Sequence, residues 1–377
     1  MKVRKSNFEL LRIVSMLFIV IYHVIVHGKV LENSNNEMIS LIMEIIIFAI
    51  IVHVNLFVLL TGYFQVQKKF NFKKVWSITN ASLFYKIIIM TILAIIGVIS
   101  LNGVTIIQEI SPINVHDYWF IKYYLYLYCI SPFLNKLANA LTKKEYFRMI
   151  VVLFILFAII PYLTGAKAFD NNGFTLYNFV FLYLIGGYLK LYNVKDSYIF
   201  KRATKQLYRF VLLLIFFCCI IINFSMYKMT GQLKLIGSIP NEIFGSIEPM
   251  SMLYSNPIVI IQTVSFFLFF ETLDFQNKMI NYISKLTFGI YLIHDNIFLT
   301  KFIYKWLKVD FGPFKSYTFI FNVLLAVIII FVVCGFIEAL RQIIFKFIYN
   351  RKISKKVRNK YYKIINNMKL KDEGEMT

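Results

Sequence analysis

Apolar residues in this chain fall in long, nearly unbroken runs, not in the alternation of a half-buried strand or the narrow stripe of a surface helix. The runs lie near residues 8–26, 38–60, 82–101, 118–137, 149–163, 176–189, 210–225, 257–273, 286–304 and 316–340, with short polar, cation-bearing stretches between them. A hydrocarbon core about 30 Å thick takes about 20 apolar residues to cross as a helix. The pattern therefore predicts an all-α fold, a polytopic membrane helix bundle with about ten transmembrane helices. The first run follows Met1-Lys2-Val3-Arg4-Lys5, a start shared with secretory leaders. Its length, the charges Glu9 and Arg12 inside it and the lack of an A-x-A-like site after it favour a retained span.

Composition sharpens this. Of 377 residues, 59% are hydrophobic and 16% charged, whereas soluble domains average about 45–50% and about 25%, which excludes an ordinary water-soluble enzyme. The net charge of +22 comes from 41 Lys+Arg against 19 Asp+Glu. These cations sit between the apolar runs and in the C-terminal tail, a distribution that suits a membrane surface and not a nucleic acid. Weighing Lys and Arg in the short loops puts both termini in the cytoplasm. The inner loops then carry Lys68, Lys69, Lys73 and Lys74, next Lys136, Lys143, Lys144 and Arg148, and next Lys190, Lys195, Lys201, Arg202, Lys205 and Arg209. Lys29 and Lys167 are the few cations of the first outer loops, but Lys301, Lys305, Lys308 and Lys315 crowd the last one and run against the bias. Two parts are expected: a transmembrane domain over 1–345 and a basic cytoplasmic tail over 346–377. In that tail Ile353, Val357, Tyr361 and Ile364 recur at helical spacing, as an amphipathic segment on the anionic inner leaflet requires.

Cys129, Cys218, Cys219 and Cys334 all fall in apolar runs, without C-x-x-C or a zinc-ligand spacing, and read as small core residues. No P-loop and no G-x-G-x-x-G is present, so nucleotide hydrolysis and a dinucleotide cofactor have no support. No bound cofactor and no metal site is expected.

Ionisable groups inside spans cost about 2.5–3.5 kcal/mol each on insertion scales, so those that persist are site candidates. The first span holds Glu9, Arg12, His23 and, at its outer end, His27. Arg12 and His23 are eleven positions apart, which at about 100° per residue is three turns plus about 20°, so they share one helix face about 16 Å apart. Glu9, one turn before Arg12, can pair with it. An imidazole is the side chain that exchanges a proton near neutral pH. The plainer readings are an interhelical hydrogen bond for His23 and snorkelling for Arg12; the shared face favours a site. Glu44, His53, Asn55, Lys122, His294, Asp295 and Glu338 are other intramembrane candidates. Glu338 is expected to pair with Arg341, and His53 to be structural. His294 and Asp295, being adjacent, point about 100° apart on a helix, so each is expected to need a different neighbour. Trp119 is either an interfacial anchor or a platform for a sugar ring or part of a donor.

Four segments in order carry a resemblance. Asn7-Phe8-Glu9-Leu10-Leu11-Arg12-Ile13 with His23 resembles the first helix of the membrane acyltransferase-3 proteins, with its arginine and histidine separated by ten residues. Asn55-Leu56-Phe57-Val58-Leu59-Leu60-Thr61-Gly62-Tyr63 is similar to the family's second helix, Trp119-Phe120 through Ser131-Pro132-Phe133-Leu134 to its Trp-Phe helix closed by proline, and Leu286 through His294 to its late Gly-Ile-Tyr-Leu-x-His helix. The resemblance implies an integral membrane O-acyltransferase in the cell membrane. Its donor would be cytoplasmic acyl-CoA, usually acetyl-CoA, used as a substrate, and its acceptor a hydroxyl of an envelope polysaccharide or lipid-linked glycan. It implies His23 and Arg12 as the catalytic pair, with His23 as base or acyl carrier. Glu9, Lys69, Trp119, Lys122 and His294 are weaker candidates for donor or acceptor binding. Where the family has an arginine pair after the second helix, this chain reads Lys68-Lys69-Phe70-Asn71-Phe72-Lys73-Lys74, which supplies charge without the bidentate fork. A glycan-lipid flippase or polymerase is the competing class, since it too would have about ten spans, intramembrane charge and a basic inner surface.

Overall fold

Lipid offers no partner to a backbone N–H or C=O, so an apolar run in a bilayer satisfies its backbone internally as a helix. The computed structural model describes residues 5–33, 36–100, 118–164, 173–192, 204–235, 253–309 and 318–350, and every regular element among them is helical. The helices are α1 (Ser6–His27), α2 (Val30–Asn33), α3 (Glu37–Ile50), α4 (His53–Gln65), α5 (Phe72–Ile95), α6 (Trp119–Ala140), α7 (Lys143–Phe154), a π-helical stretch (Ile155–Ile159) and α8 (Ile160–Thr164). They continue with α9 (Leu176–Leu191), α10 (Lys205–Leu235), α11 (Pro257–Thr272), α12 (Lys278–Ile283), α13 (Thr287–His294), α14 (Ile297–Trp306) and α15 (Thr318–Asn350).

Six helical stretches among the described residues are long and apolar enough to cross a membrane: Ser6–His27, Glu37–Gln65, Phe72–Ile95, Lys143–Leu163, Lys205–Met229 and Phe319–Ile348. Leu176–Leu191 and Pro257–Thr272 are apolar but shorter. The other two expected runs are helical as well: α6, with Lys122, Asn135 and Lys136 in it, and the pair α13–α14, interrupted at Asp295-Asn296. The tail after Asn350 lies outside the described residues. So do positions 102–117 and 236–252, and Lys167, Lys195, Lys201, Arg202 and Lys315.

Breaks inside runs are chemically covered. Between α3 and α4 the chain turns at Ile51-Val52; the His53 ring Nδ1 bonds the Ile50 carbonyl at 2.7 Å, and the Gln262 amide from α11 donates to the Phe48 carbonyl at 3.0 Å. In α6, Pro132 lacks the N–H that would bond the carbonyl four residues back, which is that of Tyr128. The Ser131 hydroxyl donates to this carbonyl instead, at 2.7 Å, so Ser131-Pro132 keeps the helix continuous inside the bundle.

α4 and α9 cross with their backbones in close contact. A Cβ on Gly62 would land on the Tyr183 carbonyl, and one on Gly186 on the Leu59 carbonyl. Around the crossing, the Tyr183 hydroxyl donates to Asn135 Oδ1 (2.6 Å) and the Asn135 amide to the Gln65 carbonyl (3.0 Å), tying α4, α6 and α9 together. Of the cysteines, Cys219 and Cys334 are buried, but Cys129 and Cys218 are exposed. The expectation that all are core residues is therefore corrected: these two occupy outward helix faces, where the apolar surroundings in a bilayer are lipid.

α15 meets α5 through one carboxylate. Glu338 takes a bidentate pair from Arg341 (2.7 and 2.8 Å), a hydroxyl from Tyr85 (2.5 Å) and an amide from Gln342 (2.8 Å). The expected Glu338–Arg341 pair thus extends to α5. Removing one partner of a buried pair costs about 3–5 kcal/mol. Glu338→Ala is expected to cost the low end, about 3 kcal/mol, because the Arg341 side chain stays 18% exposed. Thermal unfolding of the purified protein in detergent checks this, and an unchanged midpoint would deny the network a structural role.

Candidate active site

The stripe Glu9, Arg12, Met16, Ile19, His23 and Val26 follows the three-and-four spacing of one helix face, and all of it lines a single cavity of about 1360 Å³. α4, α5, α6 and α13 supply most of the remaining wall. Sites for drug-sized ligands enclose about 300–1,000 Å³, so this space suits a larger guest or two guests at once.

One end of the cavity is cationic. Lys5, Arg12, Lys68, Lys74, Lys190 and Lys285 line it, with Glu9 as the one acidic lining residue among those described. Glu9 is already committed: it pairs with Arg12 at 2.6 Å and accepts the Ser284 hydroxyl at 2.6 Å. Aromatic faces hold several of these cations in place, with Arg12 and Lys68 over Phe64, Lys190 over Tyr63 and Lys74 over Tyr128. The net field at this end attracts a polyanion.

The opposite end, eleven residues further along α1, is imidazole and aromatic. His23 Nδ1 lies 3.0 Å from His294 Nε2, while His294 Nδ1 lies 2.6 Å from the Ile290 carbonyl. A carbonyl only accepts, so His294 carries its proton on Nδ1 and its lone pair on Nε2. His23 must then donate from Nδ1, which leaves its own lone pair on Nε2. That nitrogen has no protein partner among the described residues, on a ring that lines the cavity. Two successive hydrogen bonds thus fix the tautomer a general base needs. Asp295 Oδ1 stands 3.5 Å from His23 Nδ1, ready to stabilise the imidazolium once Nε2 takes a proton. The expectation that His294 and Asp295 need different neighbours is corrected here. α13 ends at His294, so the 100° offset of a continuous helix does not apply and both side chains converge on His23.

Behind them, Asn296 restarts the chain as α14, accepting from the Phe298 N–H and donating to the Tyr118 hydroxyl, both at 3.1 Å. His53 lines the cavity too, but both its nitrogens are used, by the Ile50 carbonyl and by the Tyr254 hydroxyl at 3.1 Å. Trp119 lies nearly parallel to Tyr254, with centroids 6.0 Å apart, and edge-on to Phe174 at 4.4 Å, all three lining this end. Such a surface suits the apolar face of a sugar ring.

Of the other residues the sequence marked, Lys69 is exposed and does not line the cavity, whereas its neighbour Lys68 does. Lys122 is also absent from the wall and rests 5.6 Å over the Tyr123 ring. Lys190, Tyr254 and Phe174 line it without having been singled out. Lys190 reads in sequence as a loop cation, and nothing local to Tyr254 or Phe174 marks them.

A family model described as an acyltransferase domain, that of the acyltransferase-3 proteins, matches residues 5–339. The chain belongs to the acyltransferase-3 family. No curated protein matches it, and neither does any solved structure. An acyltransferase-3 protein is a membrane acyltransferase, and the matched stretch contains every residue of the cavity described above.

Proposed function

We propose that this acyltransferase moves an acetyl or other short acyl group from acyl-CoA to a hydroxyl of a cell-surface polysaccharide or its lipid-linked precursor. One observation carries the reading: a single cavity joins a cationic end at Arg12 to the free Nε2 of His23. The coenzyme's phosphates lie against Lys5, Arg12, Lys68, Lys74 and Lys190. This end faces the cytoplasm, with both termini, in the cell membrane. The thioester reaches toward His23 and the acceptor sugar stacks on Trp119 and Tyr254.

In the reaction, the acceptor hydroxyl gives its proton to His23 Nε2 as its oxygen attacks the thioester carbonyl carbon. The tetrahedral intermediate collapses with cleavage of the C–S bond. The departing thiolate takes the proton back from Nε2, leaving an ester and a free thiol. Asp295 and His294 hold the imidazolium between these steps. An acyl group carried on Nε2 itself and then passed to the hydroxyl is the two-step variant of the same geometry. No bound cofactor takes part; acyl-CoA is consumed as a substrate.

A strain lacking the protein is expected to make its surface polymer at normal chain length and amount but without base-labile esters. Proton NMR of the polymer, before and after mild alkaline treatment, reads this directly. Unchanged ester content would remove the glycan as acceptor, and loss of the polymer itself would favour a glycan-lipid flippase or polymerase instead.

A further inference from the structure

The mechanism above leaves His27 without a task. It sits one turn beyond His23 on α1, is exposed, and forms no hydrogen bond among the described residues. Its ring is nevertheless held, 5.0 Å from the His23 ring and stacked on Tyr304 with centroids 5.8 Å apart and 28° between planes. Asp295 arrives at the same point from the break between α13 and α14. His23, His27 and Asp295 each offer a ligand atom, and these atoms lie within 4.8 Å of one another.

We propose that His23, His27 and Asp295 form an inhibitory site for a divalent transition-metal ion, with zinc as its typical occupant. Two imidazoles and one carboxylate form a donor set that zinc accepts, with a fourth position open to water. Ligands about 2.0–2.1 Å from a tetrahedral ion stand about 3.3 Å apart, and one donor atom from each of the three side chains already lies within 4.8 Å of the others. Histidines at i and i+4 present both rings on one side of a helix, a spacing that binds zinc on helical surfaces. His294, behind His23, acts as the outer partner that orients a ligating ring. His27 is exposed and lines the cavity beside His23, so the site is open to an ion from solvent. Mixed nitrogen and oxygen donors disfavour magnesium and calcium, which prefer oxygen alone.

The consequence is inhibition. This part rests on the reading of His23 as the base: a neutral imidazole has one lone pair, and an ion that takes it leaves none for the acceptor proton. His27 contributes to metal capture alone, which separates the two roles.

The experiment uses the purified full chain in detergent, stripped with a chelator and equilibrated with zinc, with bound metal measured by equilibrium dialysis and elemental analysis. One zinc per chain is expected, undisturbed by excess magnesium, and His27→Ala and His27→Gln should each weaken binding about tenfold or more. In the transfer assay zinc should inhibit the unmodified protein. The His27 variants should need correspondingly more zinc while keeping their metal-free rate, and unchanged elution on size exclusion checks their fold. Absence of stoichiometric zinc, or equal binding by the His27 variants, overturns the site. Loss of transfer on chelation overturns the inhibitory role. The binding arm contains neither donor nor acceptor, so it stands or falls separately from the acyl-transfer reading.

Discussion

Alanine in place of His23 is expected to lower acyl transfer by about 10²–10⁴-fold, the range lost with a positioned general base. The two hydrogen bonds behind the ring fix which nitrogen bears the lone pair, so the loss falls on the chemical step and not on donor affinity. A structural contribution has to be separated, because the alanine variant leaves His294 Nε2 without its donor in a fully buried position, a cost of about 1–3 kcal/mol. His23→Gln separates the two effects: an amide can donate to His294 Nε2 but cannot take up a proton at this pH. Both variants should be inserted in the membrane, the glutamine variant at the unmodified level, and both should be inactive when glycan ester is measured. Retention of more than about a tenth of the transfer rate by the glutamine variant would exclude His23 as the base.

The second large effect is on folding. At the α4–α9 crossing the two backbones touch, and the atoms a side chain would meet are main-chain carbonyls, which cannot rotate away as a side-chain end can. Overpacking a core costs about 1–3 kcal/mol and occasionally more. Gly186→Val is expected at or above the top of that range, since its Cβ meets the Leu59 carbonyl and the Tyr63 N–H on the facing helix. Gly62→Ala should behave alike against Tyr183. Separating α4 from α9 also shifts Tyr63 and Gln65, which line the cavity, so surviving protein should lose transfer as well. Thermal unfolding in detergent, with membrane protein level beside it, gives the readout. An unmodified midpoint in Gly186→Val would mean the helices are farther apart than described.

The glycine in Leu60-Thr61-Gly62-Tyr63 was legible in sequence only as part of a family pattern; its physical reason is this crossing. The Arg12/His23 face was readable because α1 is a single uninterrupted helix, so counting residues gives real angles. The convergence of His294 and Asp295 was not, since it depends on a helix ending between them and on a partner 271 positions away. Charge was legible as a cluster but not as individual contacts: Lys68 and Lys69 are neighbours, yet only Lys68 turns toward the cavity. The second expected span was found at the right place, but its interruption at Ile51-Val52 has no proline or glycine to announce it. What makes it tolerable is Gln262, on a helix distant in sequence.

The continuity of α1 has one more consequence. Both ends of the cavity hang on the same 22-residue rod, so the separation of Arg12 from His23, about 16 Å along the axis at 1.5 Å per residue, does not change as neighbouring helices shift. Under the proposed function the rod acts as a gauge: a carrier gripped at its phosphates delivers its acyl group to the imidazole only when its arm has the matching length. Truncated carriers would dock yet fall short, and selectivity would show in turnover and not in occupancy.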